Sequence, residues 1–318
     1  MSNITILGGA GFIGSRIAAR CVAAGHRLTI VDGVFSHTGG RRENLSDIAS
    51  EVVFHEVAVG QFPGLADVLA SSDAIIDAMG WTCHRLALQN PAYDAQLNLA
   101  SHLEWLHEFR YRPGQVVLYL ASRAQYGRPP AQCITEDTPM EPRDIQGIHK
   151  LAAEHYFRYY AEDKKFPAIS LRISNCIGPN QPVAGPDIGL VGGFIRDLMA
   201  GRPIEVFGDG RRRPVVFVDD IALLVLRLIE SDLSGFTAFN APAHDVQIEE
   251  LVAALVRLIG GRCVKSPLTG EVARIDGGNA RFDSTRLNNL LSGVELTSLP
   301  AALEATVQYF KRRQDEGR

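Results

Sequence analysis

Short apolar runs alternate with amphipathic stretches through the first two thirds of the chain, and this alternation constrains the fold more than any other feature. The predicted strands are 3–7, 27–32, 52–57, 74–78, 115–121 and 167–173, and the predicted helices lie near 12–25, 63–71, 88–110 and 145–162. Strands that alternate with helices of this length form right-handed βαβ crossovers, which make the strands parallel and cover both sheet faces. The pattern therefore predicts an α/β fold with a doubly wound parallel sheet, the Rossmann arrangement.

The pattern changes after residue 176, where glycine and proline become frequent and interrupt the regular alternation of strands and helices. The elements predicted there are a helix near 190–200, a strand at 203–207, and helices near 247–260 and 299–313. The apolar segment 215–220 and the helix after it are interpreted as a return to the first domain. We therefore expect two domains: a Rossmann domain of residues 1–176 plus about 211–245, and a smaller, discontinuous substrate domain of about 177–210 plus 246–318.

Composition excludes several classes of protein. Hydrophobic residues make up 46% and charged residues 21%, and the net charge of -4 gives no reason to expect binding to nucleic acid or to an anionic membrane. The sequence enters an apolar strand at once and holds no apolar run of roughly 20 residues, so we expect no signal peptide, no membrane span and a cytoplasmic location. The 5 cysteines are scattered without C-x-x-C spacing, which argues against a disulfide framework and a metal site.

A glycine-rich turn joins the first predicted strand to the first predicted helix. Its glycines are Gly8, Gly11 and Gly14, and Phe12 and Ile13 open the helix. Glycines in this setting permit a tight turn and let a pyrophosphate approach the backbone N–H groups at a helix N-terminus. The strand before the turn and the helix after it favour a dinucleotide site over a glycine turn that binds no nucleotide.

Asp32 bears on which dinucleotide binds. It ends the second predicted strand, roughly 20 residues beyond the glycines. A carboxylate there accepts hydrogen bonds from the adenosine ribose and repels a 2′-phosphate, so the sequence predicts NAD rather than NADP. Arg41 and Arg42 are the alternative ligands for a 2′-phosphate, but they lie in a loop well past the strand end.

Several motifs follow one another along the chain, and they cover nearly all of it. They are the glycine turn 8–14, S-R-A-Q-Y-G at 122–127, E-D-T-P at 136–139, Q-G-I-H-K-L-A-A-E at 146–154, L-R-I-S-N-C-I-G-P at 171–179, the segment from G-D-G to V-D-D at 208–220, and 282–291. In this order they resemble the extended short-chain dehydrogenase/reductases, the family of NAD-dependent nucleotide-sugar epimerases and dehydratases.

The resemblance implies a mechanism. In this family a tyrosinate takes a hydroxyl proton while a hydride moves from the sugar carbon to NAD. A serine, here Ser122, hydrogen-bonds the same oxygen. A lysine, here Lys150, holds the nicotinamide ribose and lowers the pKa of the tyrosine.

The resemblance also implies binding residues. Glu56 and Val57 stand where the family flanks the adenine, Asn175 matches the asparagine that binds the sugar nucleotide, and Arg213 matches a diphosphate ligand. Tyr126 is interpreted as a packing or substrate-contact residue.

Assembly is implied in the same way. The helices near 88–110 and 145–162 carry more aromatic and apolar side chains than one core face needs, and the equivalent helices pair across a dimer in the family. A homodimer is therefore expected, with ordinary core packing as the alternative.

The departures from the family pattern lie at or beside the residues that the family uses for catalysis and for phosphate binding. Gln146 stands where the family has its tyrosine, and an amide does not titrate near neutrality. The family's H-L-A-A at the end of the fourth strand reads D-A-M-G, which begins at Asp77, and the aspartate expected after the phosphate-binding arginine is Pro214. Asp77 is interpreted as a hydrogen-bond acceptor at the strand end or as a charge near the nicotinamide.

Two histidines are candidates for the missing acid/base. His149 precedes Lys150, but adjacent helix positions differ by about 100°, so a structural role is favoured for it. His84 follows the fourth strand at the end where α/β sheets bind ligands, and it is the preferred candidate over a plain loop histidine.

Two functions remain open from sequence. The first is an NAD-dependent epimerase, dehydratase or oxidoreductase that acts on a nucleotide-activated sugar with an altered acid/base. The second is a non-catalytic protein that binds NAD and a nucleotide sugar. Retention of Ser122, Lys150, Asn175 and Arg213 favours the enzyme. The changes at 77–80, at Gln146 and at Pro214 favour the binding protein.

Overall fold

A computed structural model of the protein describes residues 1–129, 133–183, 185, 188–270, 273 and 278–315. Among these residues the strands are β1 (Asn3–Leu7), β2 (Arg27–Asp32), β3 (Val52–Glu56), β4 (Ala74–Asp77), β5 (Val116–Ser122), β6 (Cys133–Ile134), β7 (Ala168–Ile173), β8 (Asn175–Ile177), β9 (Ile204–Phe207), β10 (Arg212–Phe217), β11 (Phe236–Asn240), β12 (His244–Gln247), β13 (Cys263–Ser266) and β14 (Arg281–Phe282).

The same residues form α-helices and shorter helical turns. The α-helices are α1 (Phe12–Ala23), α2 (Leu65–Ser71), α3 (His84–Gln89), α4 (Pro91–Ala95), α5 (Ser101–Glu108), α6 (Ile145–Lys164), α7 (Leu190–Met199), α8 (Val218–Ile229), α9 (Ile248–Ile259), α10 (Thr285–Leu290) and α11 (Leu299–Asp315). Short 3₁₀ turns lie at Arg42–Ile48, Val59–Gln61 and Arg123–Tyr126. No helix among the described residues is both long and apolar enough to cross a membrane.

Seven of the described strands form one parallel sheet in the order β11-β7-β5-β4-β1-β2-β3. Alternate strand residues face opposite ways, so the sheet has two cores. Ile6 and Ile30 pack with α1 and α8 on one face, while Ile75, Val117 and Tyr119 pack with α5 and α6 on the other. The predicted doubly wound α/β fold is confirmed.

The long helix predicted near 88–110 is interrupted. Pro91 has no backbone N–H to donate, so it occupies the first position of α4, and the Asn90 side chain caps that helix by accepting from the Tyr93 N–H at 3.2 Å. A π-helical turn, Gln96–Ala100, then joins α4 to α5. The proline thus separates α3 from α4.

The second half of the chain adds a smaller layer. A three-stranded sheet in the order β12-β10-β8 and a two-stranded sheet of β9 and β13 pack with α7, α9 and α11 around their own apolar core. The segment predicted to return at about 211 first forms β10, which pairs with β8 and β12 of this smaller sheet. The chain rejoins the large sheet through α8, which packs against α1, and through β11.

Candidate functional site

A cavity of about 990 Å³ opens at the carboxyl ends of the parallel strands. Its wall combines the turn after β1, the ends of β2, β5 and β7, the segment after β4, and residues of the smaller layer. Doubly wound sheets bind ligands at this edge because the loops there converge on one crevice. Its volume lies at the upper end of the range of about 300–1,000 Å³ that is usual for ligand pockets.

The glycine turn lines this cavity and fits a dinucleotide. Gly8 has a φ of +80°, and a Cβ on it would lie 2.9 Å from the Ala78 carbonyl carbon. A Cβ on Gly14 would lie 2.3 Å from the Gly8 carbonyl oxygen. Phe12 and Ile13 also line the cavity at the start of α1, where the first-turn N–H groups have no helical acceptor. The close packing brings a helix N-terminus to the cavity, where it can hold a pyrophosphate.

Asp32 lies at the end of β2 on the cavity wall. Its carboxylate accepts from the Ala10 N–H at 2.9 Å and from the Val34 N–H at 2.8 Å. Burial raises the pKa of Asp32, and the two backbone N–H groups partly oppose that rise. Asp32 is therefore fixed against the glycine turn, with its residue in the cavity wall.

Glu56 and Val57, the residues matched to the adenine site, lie at the end of β3 and directly after it. Glu56 and Val57 lie beside the cavity rather than in its wall, and the lining resumes at 58–61. The Glu56 carboxylate accepts from the Arg42 guanidinium, which also lies 5.6 Å from the centre of the Phe54 ring. Arg42, one of the two alternative ligands for a 2′-phosphate, is thus already paired with a carboxylate.

Lys150 and Ser122 line the same cavity. The Lys150 ammonium donates to the carbonyls of Met79 at 3.1 Å and Leu120 at 3.3 Å, and it lies 4.9 Å from the centre of the Tyr119 ring. Burial lowers its pKa to about 8, against the opposing charges of Asp77 and Asp94.

Ser122 ends β5 and caps the turn that follows. Its hydroxyl oxygen accepts from the Ala124 N–H at 3.1 Å, while its own N–H donates to the Gln125 side chain at 2.9 Å. The hydroxyl hydrogen of Ser122 can still donate to a ligand oxygen in the cavity.

Gln146 lies one helical turn before Lys150 and also lines the cavity. Its side-chain amide donates to the Trp81 carbonyl, in the segment that follows β4. Gln146 is 3% exposed. The position therefore supplies a buried hydrogen-bond donor and no titratable group.

His84 stands on the cavity wall and is paired with a carboxylate. Its Nδ1 lies 2.9 Å from Asp144 Oδ2, and its side chain is 39% exposed. Asp144 caps α6 by accepting from the Gly147 N–H at 2.7 Å. Burial raises the pKa of Asp144, but the bonds from His84 and Gly147 outweigh it, and the net pKa is lowered.

Asp144 was not predicted as a site residue. The signal was present in the sequence, because an Asp directly before a predicted helix is a typical N-cap. The helix cap uses only Oδ1 of Asp144, so Oδ2 remains available to accept a hydrogen bond from His84.

The other candidate groups near the chemistry have structural partners. His149 Nδ1 lies 2.6 Å from Asp94 Oδ1, outside the cavity lining. Asp77 is fully buried and accepts from His102 Nδ1 at 2.8 Å, from Trp105 Nε1 at 2.9 Å and from the Met79 N–H at 3.0 Å. His149 thus has the structural role favoured from sequence, and Asp77 acts as a hydrogen-bond acceptor at the strand end, one of its two interpretations.

The smaller layer brings polar groups to the far end of the cavity. Asn175 lines it and donates to the Pro214 carbonyl at 2.9 Å. Arg213 and Arg211 line it as well, because alternate positions at β10 face the same side. Arg212 points the other way and pairs with Asp245 at 2.8 Å. The place of Arg211 in the cavity wall follows from this alternation.

Tyr126 does not reach the cavity. It is fully buried, its hydroxyl donates to Asn240 Oδ1 at 2.8 Å, and it accepts from Arg172 Nη1 at 2.6 Å. Burial raises its pKa to about 12. Of the two interpretations from sequence, the burial of Tyr126 among Ile134, Ala280 and their neighbours agrees with packing.

The cavity wall carries an excess of positive charge. Its described lining includes Arg85, Arg123, Arg143, Lys150, Arg196, Arg211 and Arg213 as cations, and Asp32, Glu104 and Asp144 as carboxylates. Guanidinium groups bind phosphate oxygens in bidentate fashion, so this wall suits two phosphate-bearing ligands.

Comparison with known proteins agrees with this geometry. The model of the NAD dependent epimerase/dehydratase family matches residues 4–241. A UDP-glucose 4-epimerase from Mycolicibacterium smegmatis is 27% identical over 317 residues, which cover 97% of this chain and 98% of that protein.

Solved structures have the same fold. That of UDP-glucose 4-epimerase from Thermotoga maritima with UDP-glucose is 25% identical and superposes with a TM-score of 0.86, covering 98% of this chain and 99% of that one. The Thermus thermophilus UDP-glucose 4-epimerase complex with NAD is 22% identical, has a TM-score of 0.83, and covers 97% and 99% of the two chains.

Proposed function

The chain belongs to the NAD dependent epimerase/dehydratase family, and on that basis we propose that it transfers a hydride between NAD and a nucleotide-activated sugar, with His84 in place of a tyrosine as the acid/base. One observation carries the proposal. Lys150, Ser122 and the His84–Asp144 pair converge on the same cavity that the glycine turn and Asp32 line.

The cofactor end follows from residues already described. The turn at 8–14 would hold the pyrophosphate, Asp32 the adenosine ribose, and Lys150 the ribose at the nicotinamide end. When bound, NAD supplies a hydride acceptor. A lysine that already donates to two backbone carbonyls keeps a third N–H for a ribose oxygen.

The residues at the substrate end are assigned by their charge, and the substrate class is assigned from the names of the relatives. Asn175, Arg211 and Arg213 would hold the diphosphate of a UDP- or dTDP-sugar, since a diphosphate needs several donors at the end of the cavity away from the adenosine. Relatives named for UDP-glucose and dTDP-glucose support a nucleotide-activated hexose as the substrate class.

The proton follows a different route from the one the family resemblance implies. His84 Nδ1 donates to Asp144, so its Nε2 is an acceptor that can take the proton of a sugar hydroxyl. The Asp144 carboxylate, whose pKa is lowered, stays anionic and stabilises the imidazolium that forms. Ser122 can donate to the same sugar oxygen and orient it.

Two further features of the molecule are proposed here. We place the resumption of the Rossmann domain at α8 rather than at about 211, because β10 pairs within the smaller sheet.

We also propose a homodimer through α5 and α6. On α6, Ile148 is 48%, Tyr156 41% and Tyr159 60% exposed, which leaves an apolar strip on its outer face.

The first prediction tests the acid/base. With NAD and a panel of UDP- and dTDP-sugars, product formation and NADH absorbance identify the substrate, and His84→Gln is then expected to lower kcat about 10²- to 10⁴-fold. His107→Gln, at an exposed position on α5, is the matched control and should change kcat little. Equal kcat for His84→Gln and the control would contradict the role of His84. Absence of turnover with every sugar, with NAD bound, would favour the non-catalytic alternative.

A further inference from the structure

The segment that joins β4 to α3 is held by amide side chains. The Asn98 side chain accepts from the Trp81 N–H at 3.0 Å and donates to the Trp81 carbonyl at 2.9 Å. The Gln146 side chain donates to that same carbonyl, which therefore accepts two hydrogen bonds in a buried setting. Both lone pairs of the Trp81 carbonyl are thus in use.

The first turn of α6 holds this segment at a second point. Asp144 binds His84 three residues beyond Trp81, and Asp144 is fixed in turn by the Gly147 N–H. Asp144 and Gln146 are two residues apart in the chain, and their contacts are three residues apart on one loop. The first turn of α6 therefore contacts the loop after β4 at two points, through Gln146 to Trp81 and through Asp144 to His84.

The side chain of Trp81 completes the attachment on the outer side. Its Nε1 donates to the His37 carbonyl at 3.1 Å, its ring meets Tyr93 edge-on at 5.3 Å between centroids, and the residue is 3% exposed. The Trp81 backbone and side chain are therefore both held by hydrogen bonds, three residues before His84. A histidine that acts as an acid/base needs such constraint, because small displacements from the reacting oxygen cost large factors in rate.

We infer that Gln146 is a positioning residue for His84, because its amide fixes the loop before His84 through the Trp81 carbonyl. The glutamine that stands in place of a tyrosine thus supports the histidine that acts in place of that tyrosine. This inference rests on the proposed function. A tyrosine at 146 would place its only polar atom beyond an aromatic ring, so it could not donate to Trp81 from the place of the amide. Gln146 thus contributes to catalysis without touching the proton that moves.

The test replaces the amide by a side chain of similar length that cannot donate. In Gln146→Met the Trp81 carbonyl keeps its bond from Asn98, so the variant is expected to fold. We expect kcat to fall about 10- to 100-fold while KM for the sugar nucleotide and for NAD changes less than about 3-fold. Gln308→Met, on the exposed face of α11, is the control and should leave kcat unchanged.

A second measurement does not depend on turnover. Nitrogen NMR of the His84 ring, assigned with His84→Gln, reports which ring nitrogen carries the proton. The unmodified protein should hold the Nδ1–H tautomer that Asp144 selects, and Gln146→Met should show a mixture. An unchanged ring signal together with unchanged kcat in Gln146→Met would overturn the inference.

The two proposals fail in distinguishable ways. If His84→Gln keeps full activity but Gln146→Met alters the His84 ring signal, the acid/base assignment is wrong and the positioning contact stands. If Gln146→Tyr raises kcat and His84→Gln has no effect in that variant, position 146 is an ordinary base site and the inference is wrong. If Gln146→Tyr lowers kcat as Gln146→Met does, the inference is supported.

Discussion

Among single residues, burial decides what the site groups can do. Lys150 and Gln146 are both buried on α6, one turn apart, and one carries a charge while the other carries only an amide. The Lys150 ammonium is surrounded by the Met79 and Leu120 carbonyls and the Tyr119 ring, with the charges of Asp77 and Asp94 nearby. Carbonyls and a ring face replace only part of its hydration, so the charged form is destabilised.

Lys150 should therefore lower the stability of the fold at neutral pH. Its folded pKa of about 8 is below the ordinary value of 10.5, so the cost is fully present below pH 8 and is relieved as pH rises toward 10.5. Lys150→Met is expected to raise the free energy of unfolding by about 1–3 kcal/mol at pH 7. Urea unfolding at pH 7 and at about pH 9.5 measures the difference, which should shrink at the higher pH.

The exposed Lys165 provides the control for this experiment. Lys165→Met should change the free energy of unfolding by less than about 0.5 kcal/mol at either pH. A Lys150→Met protein that is less stable than Lys165→Met at pH 7 would show that Lys150 carries its charge without cost.

Among the elements, the β1–turn–α1 unit shows how closely a cofactor turn is packed. Gly14 lies on α1 where a Cβ would meet the Gly8 carbonyl oxygen at 2.3 Å, and backbone atoms there cannot move aside cheaply. Gly193 lies on α7, also in a helix, and a Cβ added to it would have no neighbouring atom of the described residues within 4 Å. The two glycines share a helical setting but differ in the space around them.

Alanine at these two positions should act in opposite directions. Gly14→Ala is expected to lower the free energy of unfolding by about 1–3 kcal/mol and to weaken NAD binding, because the turn must open. Gly193→Ala is expected to raise it by about 0.5–1 kcal/mol, because alanine favours the helix. Thermal unfolding with and without NAD tests both. A change of the same sign in the two variants would contradict the packing argument.

For the molecule as a whole, the outer face of α6 is a surface left without a partner among the described residues of a single chain. Tyr156 and Tyr159 are exposed there, although a helix of this length usually presents polar side chains to water. A second copy of the chain that contributes the same face would bury these rings by two-fold pairing.

A charged residue on this face should separate the copies. Tyr159→Glu is expected to shift the molar mass measured by light scattering from that of a dimer to that of one 34.7 kDa chain, because an unpaired carboxylate resists burial at an apolar interface. Leu290→Glu, at a half-exposed apolar position on α10, should leave the mass unchanged. A single-chain mass for the unmodified protein would rule out the dimer.

Local patterns in the sequence were enough to predict the sheet and the glycine turn, and they singled out Asp32, Ser122 and Lys150, which all line the cavity. These features depend on residues within one strand, one turn or one helix, and parallel strands bring their carboxyl ends to one edge by construction. The family follows from the same motifs in order.

What the remaining residues contact could be learned only from the packing of the folded chain. Gln146 and Trp81 belong to segments 65 residues apart, and His84 meets Asp144 across 60 residues. Tyr126 turns inward to Asn240, 114 residues away. Such contacts depend on how separate elements pack, and no local pattern encodes the distance between them. The sequence places a glutamine at position 146, and only the packing of α6 against the loop after β4 shows which contact that glutamine makes.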